Sequence, residues 1–274
     1  MTAIRHRFWA DYTSQDFAAL DRGSLVAVLP VGAIEQHGPH LPLSVDRDIL
    51  DGIIAAALPL IHDDCPALFL PTCAVGKSNE HTRYPGTLTL SAATLMAMWS
   101  DIADCVAAAG VRRLVLLNSH GGQIAPMDIV VRDLRIRHGM IAVAASWFAM
   151  GQPAGLLTED EARHGVHAGD METSMMLALR PDLVEMTRAR DFRPLNARLA
   201  AENRHLGLSP AGRLGWQAQD LHPAGAMGNA AAATPTKGHA FVDHAARELV
   251  TLLQEVAALP LSILDNPADP GAAP

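Results

Sequence analysis

The sequence predicts an α/β fold in which a mainly parallel sheet is covered by helices on both faces. Short aliphatic runs typical of buried strands alternate with longer segments whose apolar residues recur at helical spacing. Such alternation favours parallel pairing, because each helix returns the chain to the same end of the sheet. The chain has 274 residues, 49% hydrophobic and 18% charged, which suits one large core. We therefore expect one domain over residues 1–265 and a disordered tail over residues 266–274.

Each element rests on its own hydrophobic pattern. The predicted strands span residues 25–30, 67–70, 114–117 and 141–144. The predicted helices span residues 49–60, 95–109, 124–138 and 242–258, and another apolar helix ends near Leu179. Residues 151–155 and 206–238 are rich in Gly, Pro and Ala and are predicted as long loops. Ligands of parallel sheets bind beyond the carboxyl ends of strands, where this chain concentrates its polar clusters.

Charge and composition exclude several classes of protein. The formal net charge is −8 and no run is rich in Lys or Arg, so nucleic acid is not an expected partner. Residues 1–22 lack the continuous apolar stretch of a signal peptide, and no segment has the uncharged length of a membrane span. We expect a cytoplasmic protein without a membrane partner. Cys65, Cys73 and Cys105 have no CxxC spacing and are predicted as buried thiols.

The first polar cluster follows the first predicted strand. In an extended chain, Glu35 and His37 point to the same side, so Glu-x-His is a sensible ligand pair. Asp46 precedes the next helix and could bridge two metals, while Asp48 is predicted to cap that helix through backbone N–H groups. Alternatively, Glu35 and His37 are solvated and both aspartates serve the helix start. Glycine and proline residues hold this loop rigid, which favours a site.

The second cluster ends the third predicted strand with the sequence LNSHGGQ. His120 stands at the carboxyl end of the strand, and Gly121 and Gly122 allow a ligand or metal to approach the backbone. The side chains of Asn118 and Ser119 could orient His120 or donate hydrogen bonds to an oxyanion. A histidine that merely caps the turn is the alternative. No phosphate loop is predicted, because the chain has neither GxGxxG after its first strand nor GxxxxGK[ST].

The third cluster lies just before the helix that ends near Leu179. Glu172 falls in the first helical turn, where the helix dipole favours a carboxylate, and we interpret it as a metal ligand. Asp170 could be a ligand or a helix cap, and the sequence leaves both open. A further polar patch contains residues that either face a substrate or form an oligomer contact: Ser78, Glu80, His81 and Arg83.

Four stretches in order, VGAIEQHGPHLPLSVD, NEHTRYPGTLTLS, LNSHGGQ and HAGDMETS, closely resemble signature stretches of the creatininase family. The resemblance covers roughly residues 25–179, with a weaker likeness in GNAAAATPTKG. It implies a three-layer α/β/α sandwich, a homohexamer and two divalent metal ions per subunit, such as Zn, Mn or Fe. It also implies hydrolysis of a non-peptide C–N bond in a small-molecule amide.

The resemblance also implies roles for individual residues. Creatininase has Tyr and Glu after its metal-binding histidine, where this chain has Gly121 and Gly122, so Glu172 would supply the missing carboxylate. Asp46 would bridge the two ions. The implied metal ligands are Glu35, His37, Asp46, His120 and Glu172. The implied catalytic residues are His167 and Glu172. The implied substrate-binding residues are Ser78, Asn118, Gly121, Gly122 and His164.

These parts suit a defined reaction. Two ions about 4 Å apart would share a water and acidify it, and the resulting hydroxide would attack the carbonyl of a creatinine-like lactam. His167 would protonate the leaving nitrogen. A formamide deformylase or a peptide-maturing enzyme of the same family is the alternative, as is an inactive metal-binding oligomeric relative. Arg83 and Arg163 would favour an anionic substrate if both lined the pocket.

Overall fold

A parallel sheet forms the centre of the molecule. The computed structural model describes residues 4–265. Its strands are β1 (Val26–Val31), β2 (Ala67–Phe69), β3 (Arg113–Asn118) and β4 (Ile141–Ser146). They are all parallel in the order β2-β1-β3-β4, which confirms the predicted sheet. Each strand lies within one or two residues of its predicted bounds, since continuous aliphatic runs mark strands that are buried on both faces.

The two faces of the sheet carry separate hydrophobic cores. Along β1, Val26 and Val28 enter one core while Ala27 and Leu29 enter the other, as alternation in a strand requires. The helices are α1 (Ser14–Ala18), α2 (Val45–Ala57), α3 (Ala92–Ala108), α4 (Ile124–His138), α5 (Glu159–His164), α6 (Asp170–Leu179), α7 (Leu195–Glu202), α8 (Ala218–Leu221) and α9 (Pro235–Ala258). Helices α2, α6 and α9 cover the first core, and α3 and α4 cover the second. The α/β/α layering is therefore confirmed.

Helix starts differ from the predictions more than helix ends do. Helix α4 matches its predicted bounds, but α2 begins four residues early, at Val45. The prediction that Asp48 caps α2 through backbone N–H groups is wrong. Its carboxylate instead accepts a hydrogen bond from the Ser44 hydroxyl at 2.6 Å and pairs with Arg47 at 2.8 Å. The reason is that Asp48 lies inside the first turn rather than ahead of it.

The predicted loop over residues 206–238 is only partly irregular. It contains α8 and the strand β6 (Gly228–Asn229), which pairs antiparallel with β5 (Asp191–Phe192). Helix α9 begins at Pro235, seven residues before the predicted start. The Thr234 side chain caps it and Pro235 occupies the first turn, a position that proline favours. The short helices α1, α5 and α7 were not predicted.

Two further predictions concern thiols and membranes. Cys65 is buried, but Cys73 is only partly buried and Cys105 is exposed, so the prediction of three buried thiols is wrong for these two. Cys105 lies on the solvent side of α3, which apolar neighbours in sequence do not reveal. No helix within residues 4–265 is long and apolar enough to cross a membrane. The predicted tail over residues 266–274 lies outside the described residues.

Candidate metal centre

The sheet topology opens a crevice between the carboxyl ends of β1 and β3. The connection after β1 leads to β2 on one side, whereas the connection after β3 leads to β4 on the other. Such a switch point is where open α/β sheets bind ligands. Glu35 follows β1 by four residues and His120 follows β3 by two. Because Val31 pairs with Asn118 at the end of these strands, both side chains reach the same crevice.

The remaining predicted ligands arrive from two helix N-termini and one rigid turn. Asp46 lies in the first turn of α2 and Glu172 in the first turn of α6. His37 lies in the turn after Glu35, where its Nδ1 is 3.0 Å from the Glu35 carbonyl oxygen. Gly38 has a φ of +69°, and a Cβ there would lie 2.8 Å from Ala226, so only glycine fits this turn.

The five predicted ligands converge. His120 Nδ1 lies 3.3 Å from Glu35 Oε2 and 3.5 Å from Asp46 Oδ2. The other Asp46 oxygen, Oδ1, lies 3.7 Å from His37 Nε2. Ligand atoms of His37, Asp46 and Glu172 all lie within 4.8 Å of one another. Asp46 therefore faces both imidazoles, one with each oxygen, as a bridging carboxylate would.

Several polar atoms of this cluster are buried without a hydrogen-bond partner. Within residues 4–265 they include both carboxylate oxygens of Glu35, Nε2 of His37 and Oδ2 of Asp46. Glu35 is only 1% exposed, and a buried charge without a partner costs several kcal/mol. Carboxylate oxygens and imidazole nitrogens without thiolates are the donors that Zn, Mn and Fe accept. The residues present therefore fit a divalent metal centre.

The cluster also changes the protonation of its members. Burial by itself lowers the pKa of His37, but the carboxylates of Asp46, Glu172 and Glu35 together outweigh burial and raise that pKa to about 9. Burial raises the pKa of Glu172 to about 7, although His37 opposes this shift. Both shifts have the same origin, because burial penalises a charged group and strengthens its interaction with neighbouring charges.

Three residues that the sequence analysis did not assign to the centre lie in it. Glu80, Glu35 and His120 form another group whose ligand atoms lie within 4.8 Å of one another. His81 Nε2 lies 3.4 Å from Glu35 Oε1, and the Gln36 side chain donates to His81 Nδ1 at 2.6 Å. The sequence signal for Glu80 and His81 was the stretch NEHTRYPG, which joins an acid and an imidazole ahead of a proline and a glycine, whereas Gln36 lies between the predicted ligands Glu35 and His37. Only the three-dimensional contact with Glu35 separates a site from an oligomer contact.

His167 also lies at the centre. Its Nε2 lies 2.8 Å from the carbonyl oxygen of Gln36, so Nε2 carries the proton and donates, while Nδ1 lies 3.6 Å from Glu35 Oε1. The next residue, Ala168, has a left-handed φ of 54° and donates its backbone N–H to the Glu172 carboxylate. Glu172 thus also satisfies a backbone group beside its helix. Asp170 does not cap α6, since its carboxylate binds Lys237 at 2.5 Å and the Ser174 hydroxyl at 3.0 Å.

The predicted substrate-binding residues separate into two groups. Gly121 and Gly122 line the cavity above the centre. Ser78 and Asn118 are fully buried and contact His120 instead: the Ser78 hydroxyl lies 3.4 Å from its ring, and Asn118 binds its backbone N–H and carbonyl, each at 2.8 Å. His164, at the end of α5, is not among the described residues that line the cavity, although the residues that follow it, Gly165 and Val166, are.

The cavity has a volume of about 840 Å³. Glu35, Asp46, His120, His167 and Glu172 lie in its lining. The lining also includes the large apolar side chains of Trp147, Phe148, Leu157, Met171, Leu208 and Trp216. Neither Arg83 nor Arg163 is found in the described lining. The positive charges there come from Lys77 and Arg213.

The layered fold and the buried oxygen and nitrogen donors together define an α/β/α protein with a candidate metal centre at the carboxyl edge of its sheet. Residues 10–253 match the family model Creatininase, described as creatinine amidohydrolase. The chain therefore belongs to the creatininase family of amidohydrolases, as its motifs predicted.

Characterised relatives differ in what they act on. The chain is 34% identical to creatinine amidohydrolase of Pseudomonas putida over 206 residues, covering 68% of this chain and 75% of the relative. It is 32% identical to the mycofactocin precursor peptide peptidase of Mycobacterium ulcerans over 218 residues, covering 77% of each chain. Membership of the family is thus compatible with more than one kind of substrate.

Solved creatininases share the whole architecture. A glutamate-to-glutamine mutant in complex with creatine superimposes with a TM-score of 0.74 at 26% identity, over 93% of this chain and all of the other. A manganese form and a Zn–Zn form of the same mutant give TM-scores of 0.72 and 0.71, at 25% and 26% identity and the same coverage. Both manganese and zinc forms of this fold therefore exist.

Proposed function

We propose that this protein is a metal-dependent amidohydrolase that uses two divalent ions to cleave a non-peptide C–N bond in a small cyclic amide. One observation carries the proposal. Five side chains from four separate segments bring their ligand atoms together, and several of those atoms are buried without a hydrogen-bond partner among the described residues. An arrangement of this kind destabilises the protein unless cations bind it.

The contacts support a division of the proposed ligands between two ion positions. Glu35, Asp46 and His120 would hold one ion, because His120 Nδ1 faces an oxygen of each carboxylate. His37, Asp46 and Glu172 would hold the other, with Asp46 shared. Oxygen and nitrogen donors accept Zn, Mn or Fe, and the solved Mn and Zn creatininases support the first two. Bound there, two ions would acidify a shared water and polarise the amide carbonyl.

His167 is the proposed proton carrier. Its Nε2–H is fixed on the Gln36 carbonyl oxygen, which leaves Nδ1 toward the centre. Burial lowers the pKa of His167 well below its usual value, so the ring is neutral at rest. A neutral ring can take a proton on Nδ1 and return it to the leaving nitrogen, which is the sequence of transfers that amide hydrolysis needs.

A peptide substrate is the second candidate. The cavity of about 840 Å³ is much larger than a single lactam ring requires, and the relatives include a peptide-maturing peptidase. Lys77 and Arg213 in the lining favour a substrate with an anionic group, such as a terminal carboxylate. A formamide substrate would use the same centre. We also propose a homohexamer in the cytoplasm; exposed Ile129 and Ile136 on one face of α4 are consistent with an oligomer contact.

Metal analysis and a substrate screen test the proposal together. Purified protein should contain two ions per chain, and His120→Ala should lose at least one of them, because the variant lacks the only nitrogen proposed for the first position. Equal metal content in the two proteins would contradict the proposal. Mn- and Zn-loaded protein is then offered lactams, cyclic ureas, formamides and peptides with free or amidated C-termini. Hydrolysis that survives unchanged in a metal-replete His167→Ala variant would remove His167 from the mechanism.

A further inference from the structure

The contacts around His120 extend beyond the ion position. Its ring has two nitrogens with different surroundings. Nδ1 faces Glu35 and Asp46, whereas Nε2 lies 2.9 Å from the backbone carbonyl oxygen of Lys77. A carbonyl oxygen only accepts hydrogen bonds, so Nε2 carries a proton, and Nδ1 is the nitrogen that can offer its lone pair to an ion at the centre.

Glu80 lies on the protonated side of that ring. Its Oε1 is 3.4 Å from His120 Nε2, and its Oε2 is 3.6 Å from the Lys77 ammonium group. The side chain is 12% exposed and belongs to the cavity lining. A carboxylate beside the N–H of a ligating imidazole fixes the orientation of the ring and makes the other nitrogen a stronger ligand.

Gly122 makes this approach possible. A Cβ at position 122 would lie 1.9 Å from Glu80 Oε1 and 2.5 Å from His120 Nε2. Both distances are far below a van der Waals contact, so any side chain at this position would stand between the carboxylate and the ring. The glycine is needed here for the room it leaves and not for its backbone conformation, since Gly122 has no positive φ.

We propose that Glu80 is a positioning residue for the metal centre, acting through His120, and that Gly122 is required because Glu80 occupies the space of its absent side chain. The proposal rests on the proposed metal-dependent function. It adds a carboxylate outside the five ligands, delivered from the turn of residues 79–81 across the mouth of the crevice. Positions 80 and 122 then form a pair in which only one can carry a side chain.

The test measures metal binding rather than turnover. Zn²⁺ and Mn²⁺ affinities are determined by competition with a chromogenic chelator for the wild type, Glu80→Gln, Glu80→Ala, Gly122→Ala and the Glu80→Ala/Gly122→Ala double variant. Glu80→Ala should weaken one of the two ions by about 10–100-fold. Glu80→Gln should retain most of the affinity, because its amide oxygen can stay beside the His120 Nε2–H. Glu255→Ala, which removes an exposed carboxylate from α9, is the matched control.

Gly122→Ala should weaken the same ion as Glu80→Ala, because the added methyl group separates carboxylate and ring. The double variant should then be no weaker than Glu80→Ala alone. Visible spectra of the Co²⁺-loaded proteins should change with the variants that lose affinity and return toward the wild type in Glu80→Gln. A merely structural role for Glu80 would leave these spectra unaltered.

The possible outcomes distinguish the positioning role of Glu80 from the proposed metal-dependent function. If the wild type binds two ions and Glu80→Ala binds them equally well, the positioning role is overturned while the metal-dependent function stands. Additive losses in the double variant would overturn the pairing of positions 80 and 122. If the wild type binds no divalent ion, both proposals fail. Should Glu80→Ala not fold, Gly122→Ala takes its place, and full metal affinity in that variant would overturn the positioning role.

Discussion

Two glutamates in the wall of one cavity show how differently a protein can bury a carboxylate. Glu35 is 1% exposed and Glu161 is 8% exposed. Neither oxygen of Glu35 has a hydrogen-bond partner among the described residues. Glu161, by contrast, accepts from the backbone N–H of Asp170 at 2.8 Å and of Asn229 at 2.7 Å. Both are deeply buried, but only one has its oxygens satisfied by the protein.

The surroundings of Glu161 explain how the chain itself satisfies that carboxylate. Three glycines leave it room, since a Cβ at Gly165, Gly169 or Gly228 would lie 2.4–2.6 Å from its Oε1. Its carboxylate thereby joins α5 to the start of α6 and to β6. The comparison teaches that depth of burial does not identify a metal ligand. The number of protein hydrogen-bond donors around its oxygens is more informative, because a carboxylate that already accepts hydrogen bonds gains little from a cation.

The largest effect is expected from removing the unsatisfied carboxylate. Glu35→Gln should weaken metal binding by more than about 100-fold, because it deletes a charged ligand, whereas outer-shell changes cost 10–100-fold. Addition of Zn²⁺ should raise the melting temperature of the wild type but not that of the variant. A variant that keeps the full metal-induced rise would show that Glu35 is not a ligand, and the contrast with Glu161 would lose its meaning.

An intermediate effect is expected from the satisfied carboxylate. Glu161→Gln should lower the free energy of unfolding by about 1–3 kcal/mol, since its NH₂ group must face one of two backbone N–H donors. The metal-induced rise in melting temperature should persist. Urea unfolding with and without Zn²⁺ measures the free energy of unfolding and its increase on metal binding. Glu159→Gln, which changes an exposed residue on the same helix, is the control. Loss of metal without loss of stability would place Glu161 with the ligands instead.

The smallest effect is a dependence on pH. Burial raises the pKa of Glu161 above its ordinary 4.5, so its ionisation opposes folding. The corresponding stability is fully present below the ordinary pKa and is lost as pH rises through the raised one. The stability advantage of the wild type over Glu161→Gln should therefore narrow as pH rises from 4.5 toward neutrality. Unfolding curves of the metal-free proteins over that range measure it, and a widening gap would contradict the assignment.

The elements of the fold also differ in how well the sequence predicts them. Strands β1 to β4 and helix α4 are predictable, because buried strands and amphipathic helices carry periodic patterns. Helices α1 and α5 could not be predicted in this way, because they are only five and six residues long and depend on caps from Thr13 and Thr158. The five predicted ligands lie in dense polar motifs and meet in the structure.

Other site residues could not be placed from sequence. The role of Glu80 depends on Gly122, and the two positions are far apart along the chain and meet only across the crevice. His164 was predicted to bind substrate, yet among the described residues His167 lines the cavity and His164 does not, three positions away in the chain. Local patterns report which residues could ligate, whereas non-local packing decides which of them do.

The switch point between β1 and β3 has a consequence for how such a protein can change over time. The turns that carry the proposed ligands are attached to the sheet and to two helix starts. Much of the cavity wall, by contrast, comes from residues 147–157 and 208–216, which are mostly outside long helices and strands. Those wall segments can alter in length and composition without displacing a ligand. A lineage built on this scaffold can thus exchange one amide for another while inheriting its reaction centre intact.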